Sequence, residues 1–248
     1  MGTIISIANH KGGVGKTMTA HNLSAAMSLL GKKVLLVDLD PQVNLTVRCN
    51  AASQQNILLF FAGKAIIPTQ LSENIDIIPG SEDLDNIALQ MSTDPQRSSI
   101  LLKKILTIFQ NKYDYIIIDS APGSSLLLVN ALVACDEVIV PIADKDSILG
   151  ARKLTKIFKA NKISPKGHYL LTKFDSRTSV NKEIKSLLIS KSASSLYHTY
   201  IRQTEALNRA ACQSKDIFNY DIKSNGAGDY MNLAKEICGS IADEDMPF

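Results

Sequence analysis

Between a short apolar run at residues 3–9 and a helical stretch at 19–30 lies the segment His10-Lys-Gly-Gly-Val-Gly-Lys-Thr17. A glycine-rich loop leading from a strand into a helix constrains this chain more than any other feature. Gly12, Gly13 and Gly15 let the backbone turn tightly and aim successive N–H groups inward. With the N-terminus of the following helix, those amides make an anion site. A lysine at position 16 then reaches the β- and γ-phosphates of a nucleotide, and the Thr17 hydroxyl suits Mg²⁺. The usual phosphate-loop pattern, G-x-x-x-x-G-K-[ST], fails at its first position, where His10 stands, and Lys11 adds a second lysine. A turn that binds nothing has no use for Lys16-Thr17 at the start of a helix.

The helix predicted over 19–30 places Leu23, Ala26, Met27 and Leu30 on one face, and Gly31 closes it. Residues 33–38 (KVLLVD) read as a second strand. Strand, loop, helix and strand make a βαβ unit, which requires parallel pairing and a right-handed crossover. The alternation continues. Strands are predicted at 75–78, 115–119, 137–142 and 168–172, and helices at 98–111, 125–134, 148–161, 180–190, 205–213 and 227–241. The chain therefore reads as α/β, a doubly wound, mostly parallel sheet with helices on both faces. It reads as one domain over residues 1–248. The first strand starts at the N-terminus, so no N-terminal helix-turn-helix domain is expected. Residues 50–70 show no clear period.

Two aspartates belong beside the loop. Asp40 follows the second strand in Asp38-Leu39-Asp40-Pro41-Gln42, and Asp119 ends the apolar run Ile116-Ile117-Ile118. Ligands of open α/β sheets bind beyond the carboxyl ends of the strands, where both carboxylates fall. Asp119 suits a Mg²⁺ ion held through water, and Asp40 suits orienting the attacking water, with a water-mediated metal contact as its second possible role. Asp38 reads as a supporting residue.

With 45% hydrophobic and 21% charged residues, the 248-residue chain has the composition of a globular protein. No apolar run approaches the ~20 residues that span a bilayer, and no secretory signal precedes the first strand. Cys49, Cys135, Cys212 and Cys238 show no metal-binding spacing, so reduced cytosolic thiols are expected. The net charge of +3 conceals an asymmetry: residues 151–225 hold 15 basic and 5 acidic side chains, the remainder 12 basic and 19 acidic. A basic third of the chain points to a polyanion-facing surface or to solvated helix faces.

On Lys11–Thr17, Asp38–Gln42, Asp119, Asp175-Ser176-Arg177-Thr178 and the stretch from Tyr220-Asp221 to Leu233-Ala234, the chain resembles the ParA/MinD ATPases with a deviant Walker A motif, and within them the ParA partition proteins. The resemblance runs over nearly the whole chain and is weak across about 50–70. It implies a slow Mg²⁺-dependent ATPase working with ATP, ADP and Mg²⁺. Its nucleotide contacts would fall on Lys11, Gly12, Gly13, Val14, Gly15, Lys16, Thr17 and Met18. Thr172, Lys173 and Arg202 would stand at the base. Catalysis would rest on Lys11, Lys16 and Asp40, with Lys11 reaching the phosphates of a second copy in an ATP-driven homodimer. It further implies non-specific DNA binding, a ParB-like partner that stimulates hydrolysis, no membrane partner, and a cytoplasmic, nucleoid-associated location. The basic stretch then supplies DNA contacts, with Lys182, Lys185, Lys191, Arg202, Arg209, Lys215 and Lys223 as candidates.

Four segments depart from the family pattern. Asp119-Ser120-Ala121-Pro122 stands for Asp-x-Pro-Pro, Lys173 for Met, Ile201-Arg202-Gln203-Thr204 for Ile-Pro-x-Asn, and Arg209-Ala210 for Glu-Ala. A MinD-like membrane-cycling ATPase, or another positioning ATPase, is the alternative. The membrane cycle requires a basic amphipathic C-terminal helix, whereas the tail from Gly226 has Lys235 against Asp229, Glu236, Asp243, Glu244 and Asp245. An iron–sulfur reductase would need a second cysteine placed to work with Cys135. A non-catalytic module that holds nucleotide only for assembly is a further reading, and Asp40 and Lys11 argue against it.

Overall fold

Seven strands, β1 (Thr3–Ile7), β2 (Val34–Leu39), β3 (Thr69–Ser72), β4 (Ile75–Ile78), β5 (Tyr115–Ser120), β6 (Glu137–Ile142) and β7 (Lys166–Leu171), form one sheet in the order β3-β4-β2-β5-β1-β6-β7. The structure, a computed structural model, describes residues 1–91, 99–123 and 125–239. Every neighbouring pair is parallel except β3–β4, which is antiparallel. The helices of the described residues are α1 (Lys16–Leu29), α2 (Asn44–Arg48), α3 (Ile57–Phe61), α4 (Leu84–Met91), α5 (Leu101–Leu106), α6 (Leu126–Ala134), α7 (Lys145–Asn161), α8 (Ser179–Ser192), α9 (Glu205–Cys212), α10 (Ile217–Asp221) and α11 (Asn225–Ile237).

Alternation along the strands explains the layers. Ile4, Leu35, Val37, Ile116 and Ile118 face one core, shared with α6 and α8 through Leu128, Ala131, Ile184 and Leu188. Ile5, Ile7, Val34, Leu36 and Ile117 face the other, shared with α1, α9 and α11 through Leu23, Met27, Leu207, Ala210 and Leu233. All six residues of β2 are buried. Each buried Val or Leu side chain contributes about 1.5–3 kcal/mol, so a strand buried on both faces is apolar along most of its length, Asp38 being the exception in β2. The expected doubly wound α/β class is the observed one.

Helix starts differ from the sequence expectation because caps set them. α1 begins at Lys16, three residues early, since Gly15 is its N-cap. α7 begins at Lys145 rather than 148, because Asp144 and Ser147 form a reciprocal capping box. α8 starts on the Thr178 cap and α11 on Ser224. Of the helix expected over 98–111, α5 covers Leu101–Leu106; Ser98 lies outside the described residues, as do residues 240–241 of the last expected helix and the acidic Asp243, Glu244 and Asp245. The unreadable stretch 50–70 contains α3, capped by Asn56, and the start of the edge strand β3.

Candidate functional site

The loop from β1 to α1 lies at the carboxyl ends of β1, β2 and β5. Gly13 and Gly15 take φ angles of 73° and 92°, the left-handed region that a β-carbon disfavours. The loop is tied from both sides. The Thr172 hydroxyl donates to the Val14 carbonyl at 2.8 Å, and the Gly123 amide donates to the His10 carbonyl at 2.9 Å. Asn9, wholly buried, donates from Nδ2 to the carbonyls of Pro141 and Ser147 at 2.9 and 3.0 Å. Its Oδ1 accepts from the Lys11 amide at 2.9 Å.

The loop's two lysines point to different places. Lys16 is 6% exposed, and its ammonium donates to the Lys11 carbonyl at 3.4 Å. Burial lowers its pKa, against the opposing pull of the Asp119 and Asp40 carboxylates. Lys11 instead pairs with Asp144 at 2.8 Å and Asp146 at 3.0 Å, at the start of α7, and hydrogen bonds from those two carboxylates raise its pKa.

Beneath the loop, Asp38 and Asp119 are register partners across β2 and β5, both fully buried. Their surroundings are opposite. Asp38 accepts from the Thr46 hydroxyl at 2.7 Å, the Thr46 amide at 2.9 Å and the Asp40 amide at 3.2 Å. It organises the turn after β2, the supporting role expected of it. Neither oxygen of Asp119 makes a hydrogen bond of full geometry, and the one donor beside them is the Thr17 hydroxyl. Burial raises its pKa, reinforced by the Asp38 carboxylate and partly countered by the Thr17 hydroxyl. A buried carboxylate left unsatisfied demands an explanation, and a hard cation beside the phosphate loop supplies one. Asp40, 6% exposed, accepts from the Gln42 amide at 3.0 Å and lines the cleft.

That cleft has a volume of about 500 Å³ and is lined by Gly12, Gly13, Gly15, Lys16, Thr17, Met18, Asp40, Thr172, Lys173 and Arg202 among others. Ten of the residues named from sequence thus line one cleft, whereas Lys11 turns away to the α7 corner. Val14 is buried beneath the loop. Arg202 grips Asp229, with Nη2 2.6 Å from Oδ1 and Nε within 3.1 Å of both oxygens. The DNA candidates fall on helices over both faces of the sheet. Lys182, Lys185 and Lys191 ride on α8, over one face of the sheet. Arg209, Lys215 and Lys223 ride on or beside α9 and α10, over the other. Arg209 is paired with Glu205 at 3.0 Å, and the Lys185 ammonium lies over the Tyr200 ring at 5.2 Å. Sequence reasoning missed Asn44, Arg48, Leu207 and Asn208 in the cleft wall. None belongs to a motif with a readable spacing.

Residues 2–168 match the family described as an AAA domain. A chromosome-partitioning ATPase, Soj, from Treponema pallidum is 33% identical, over 96% of this chain and 97% of that one. The chain belongs to the ParA/MinD ATPase family. Two solved members of related type overlay it. A plasmid partition protein from Borrelia burgdorferi bound to AMPPNP has a TM-score of 0.84 at 26% identity, covering 97% of this chain and all of that one. The MinD protein of Pyrococcus horikoshii complexed with Mg-ADP has a TM-score of 0.81 at 25% identity, covering 98% and 100%. In this ParA/MinD chain the deviant loop therefore has the strand-to-helix setting and the flanking carboxylates described above.

Proposed function

We propose that this chain is a partition ATPase, a single ATPase domain that binds Mg·ATP in the 500 Å³ cleft and pairs with a second copy. The observation that carries the reading is the fully buried carboxylate of Asp119, its hydrogen bonding unsatisfied and only the Thr17 hydroxyl beside it, beneath the loop that presents Lys16 and Thr17. Those residues fit Mg²⁺, with Thr17 as a direct ligand and Asp119 and Asp40 acting through water. When bound, the ion neutralises charge on the β- and γ-phosphates. Lys16 leaves the Lys11 carbonyl for the β- and γ-oxygens. The loop amides hold the phosphate chain in place. Asp40 orients the attacking water. Lys11 leaves Asp144 and Asp146 for the phosphates of the partner copy, adding a positive charge where negative charge develops. Thr172, Lys173 and Arg202 flank the base.

The named activity of the Treponema relative and the nucleotides in the Borrelia and Pyrococcus structures support the reading. The ATP-bound pair would bind DNA through its basic helices without reading sequence, and a ParB-like protein would trigger hydrolysis and release. The likeness to MinD favours no membrane cycle, because α11 carries Lys235 against Asp229 and Glu236. No helix among the described residues is long and apolar enough to cross a membrane.

Sedimentation velocity tests the cycle. A monomer with ADP, a dimer with ATP and Mg²⁺, and co-sedimentation with DNA only in ATP and only at low salt are expected. A chain that stays monomeric and DNA-free with ATP and Mg²⁺ contradicts the segregation role.

A further inference from the structure

We infer that Arg48 is a nucleotide-binding residue whose guanidinium takes the α-phosphate, where the phosphate chain joins the nucleoside. The inference rests on the nucleotide reading of the cleft and deepens it. Arg48 is the last residue of α2, the short helix beyond the carboxyl end of β2, and it lines the cleft with Met18 and Tyr230. Its Nη1 lies 3.5 Å from the Met18 sulfur. Met18 follows Thr17 directly, in the first turn of α1. The guanidinium therefore lies on the cleft wall beside the side chain of the residue that follows Thr17. Its positive charge also reaches Tyr230, where it opposes the burial-driven rise of the phenol pKa.

Charge matching separates Arg48 from the other cations near the cleft. Lys11 is held by Asp144 and Asp146, and Arg202 by Asp229. Among the described residues no carboxylate pairs with Arg48; its hydrogen-bond acceptor is a thioether, which is a weak one. A guanidinium carries five N–H donors in a planar fork that fits two oxygens of one phosphate. A half-buried, unmatched arginine on the wall of a polyanion's cleft has that ligand class as its natural partner.

Calorimetry on the full chain with Mg·ADP and Mg·ATP tests this. Arg48→Gln is expected to weaken both nucleotides by the same factor, about tenfold or more, and Arg48→Lys, which keeps the charge, to lose clearly less. ADP with sulfur replacing a non-bridging α-oxygen should lose less from Arg48→Gln than ADP does. If the unaltered chain binds both nucleotides and Arg48→Gln leaves both affinities within twofold, Arg48 has no such role. A loss confined to ATP moves the contact to the γ-phosphate and overturns the assignment. An equal loss for Arg48→Lys and Arg48→Gln, with no effect of sulfur, points to stacking on the base and overturns it too. Thermal melts without nucleotide establish that each variant folds. Should the glutamine variant not fold, the lysine variant and the sulfur comparison on the unaltered chain decide. Absence of binding by the unaltered chain instead sinks the nucleotide reading itself.

Discussion

The two ends of the glycine-rich loop carry the same side chain into opposite surroundings. At one end Lys16 opens α1, buried, under the pull of the Asp119 and Asp40 carboxylates. At the other Lys11 keeps a third of its side chain in solvent and pairs with two carboxylates 133 and 135 residues away. Burial commits Lys16 to whatever enters its own cleft. Lys11 is poised by a contact that solvent screens and that a competing anion can displace. The same residue type is thus held in two ways, one buried and one screened, and the elements behind each lysine decide which.

Substitution at Lys11 has the greatest consequence. Lys11→Ala is expected to keep ATP affinity within a few-fold and to lose about a thousandfold in partner-stimulated turnover, the scale of an arginine finger supplied in trans. A phosphate-release assay beside calorimetry separates the two; a parallel loss of affinity would place Lys11 in its own cleft. Gly150→Ala addresses the support behind Lys11. A β-carbon there would lie 2.1 Å from Asn9 Oδ1 and 3.1 Å from the Lys11 amide nitrogen. Displacing Asn9 also breaks its bonds to Pro141 and Ser147, so a loss of about 2–3 kcal/mol in urea unfolding is expected.

The buried end has a pH signature. Burial pushes His21, on α1, down to about 4, with Asp216 opposing and Arg48 assisting. Above pH 6.5 the imidazole is neutral whether the chain is folded or not. Between 6.5 and 4 the unfolded chain binds the proton and the folded chain does not, so stability falls with pH. From pH 7.5 to 5 this amounts to about 2 kcal/mol. His21→Gln is expected to flatten that part of the profile; an unchanged slope would show that His21 accepts its proton in the fold. The smallest effect belongs to the latch. Replacing Asp144 and Asp146 with Asn should barely move the unfolding midpoint, because surface pairs contribute little, yet it should raise the fraction dimerised at a given ATP concentration.

The alternation of apolar strands and helices, the phosphate loop and the two flanking carboxylates were readable because each has a period or a spacing. The short elements α2, α3, α10 and β3 span four or five residues, fewer than a helical pattern needs to declare itself. The distinct roles of Asp38 and Asp119 depend on sheet register and on Thr46, which only the fold brings together. The latch on Lys11 joins residues more than 130 positions apart. Arg48 stands in no motif, and only the cleft reveals it. The basic third of the chain was legible as composition, but α8 and α9 carry its charges to opposite faces of the sheet.

The claim beneath all of this is that the cleft closes around the phosphates of Mg·ATP through the loop amides and Lys16. Titrating Mg·ATP into the unaltered chain and into Lys16→Ala in a calorimeter tests it directly. Saturable one-to-one binding to the first and none measurable to the second is expected. Equal affinity for both chains would contradict it.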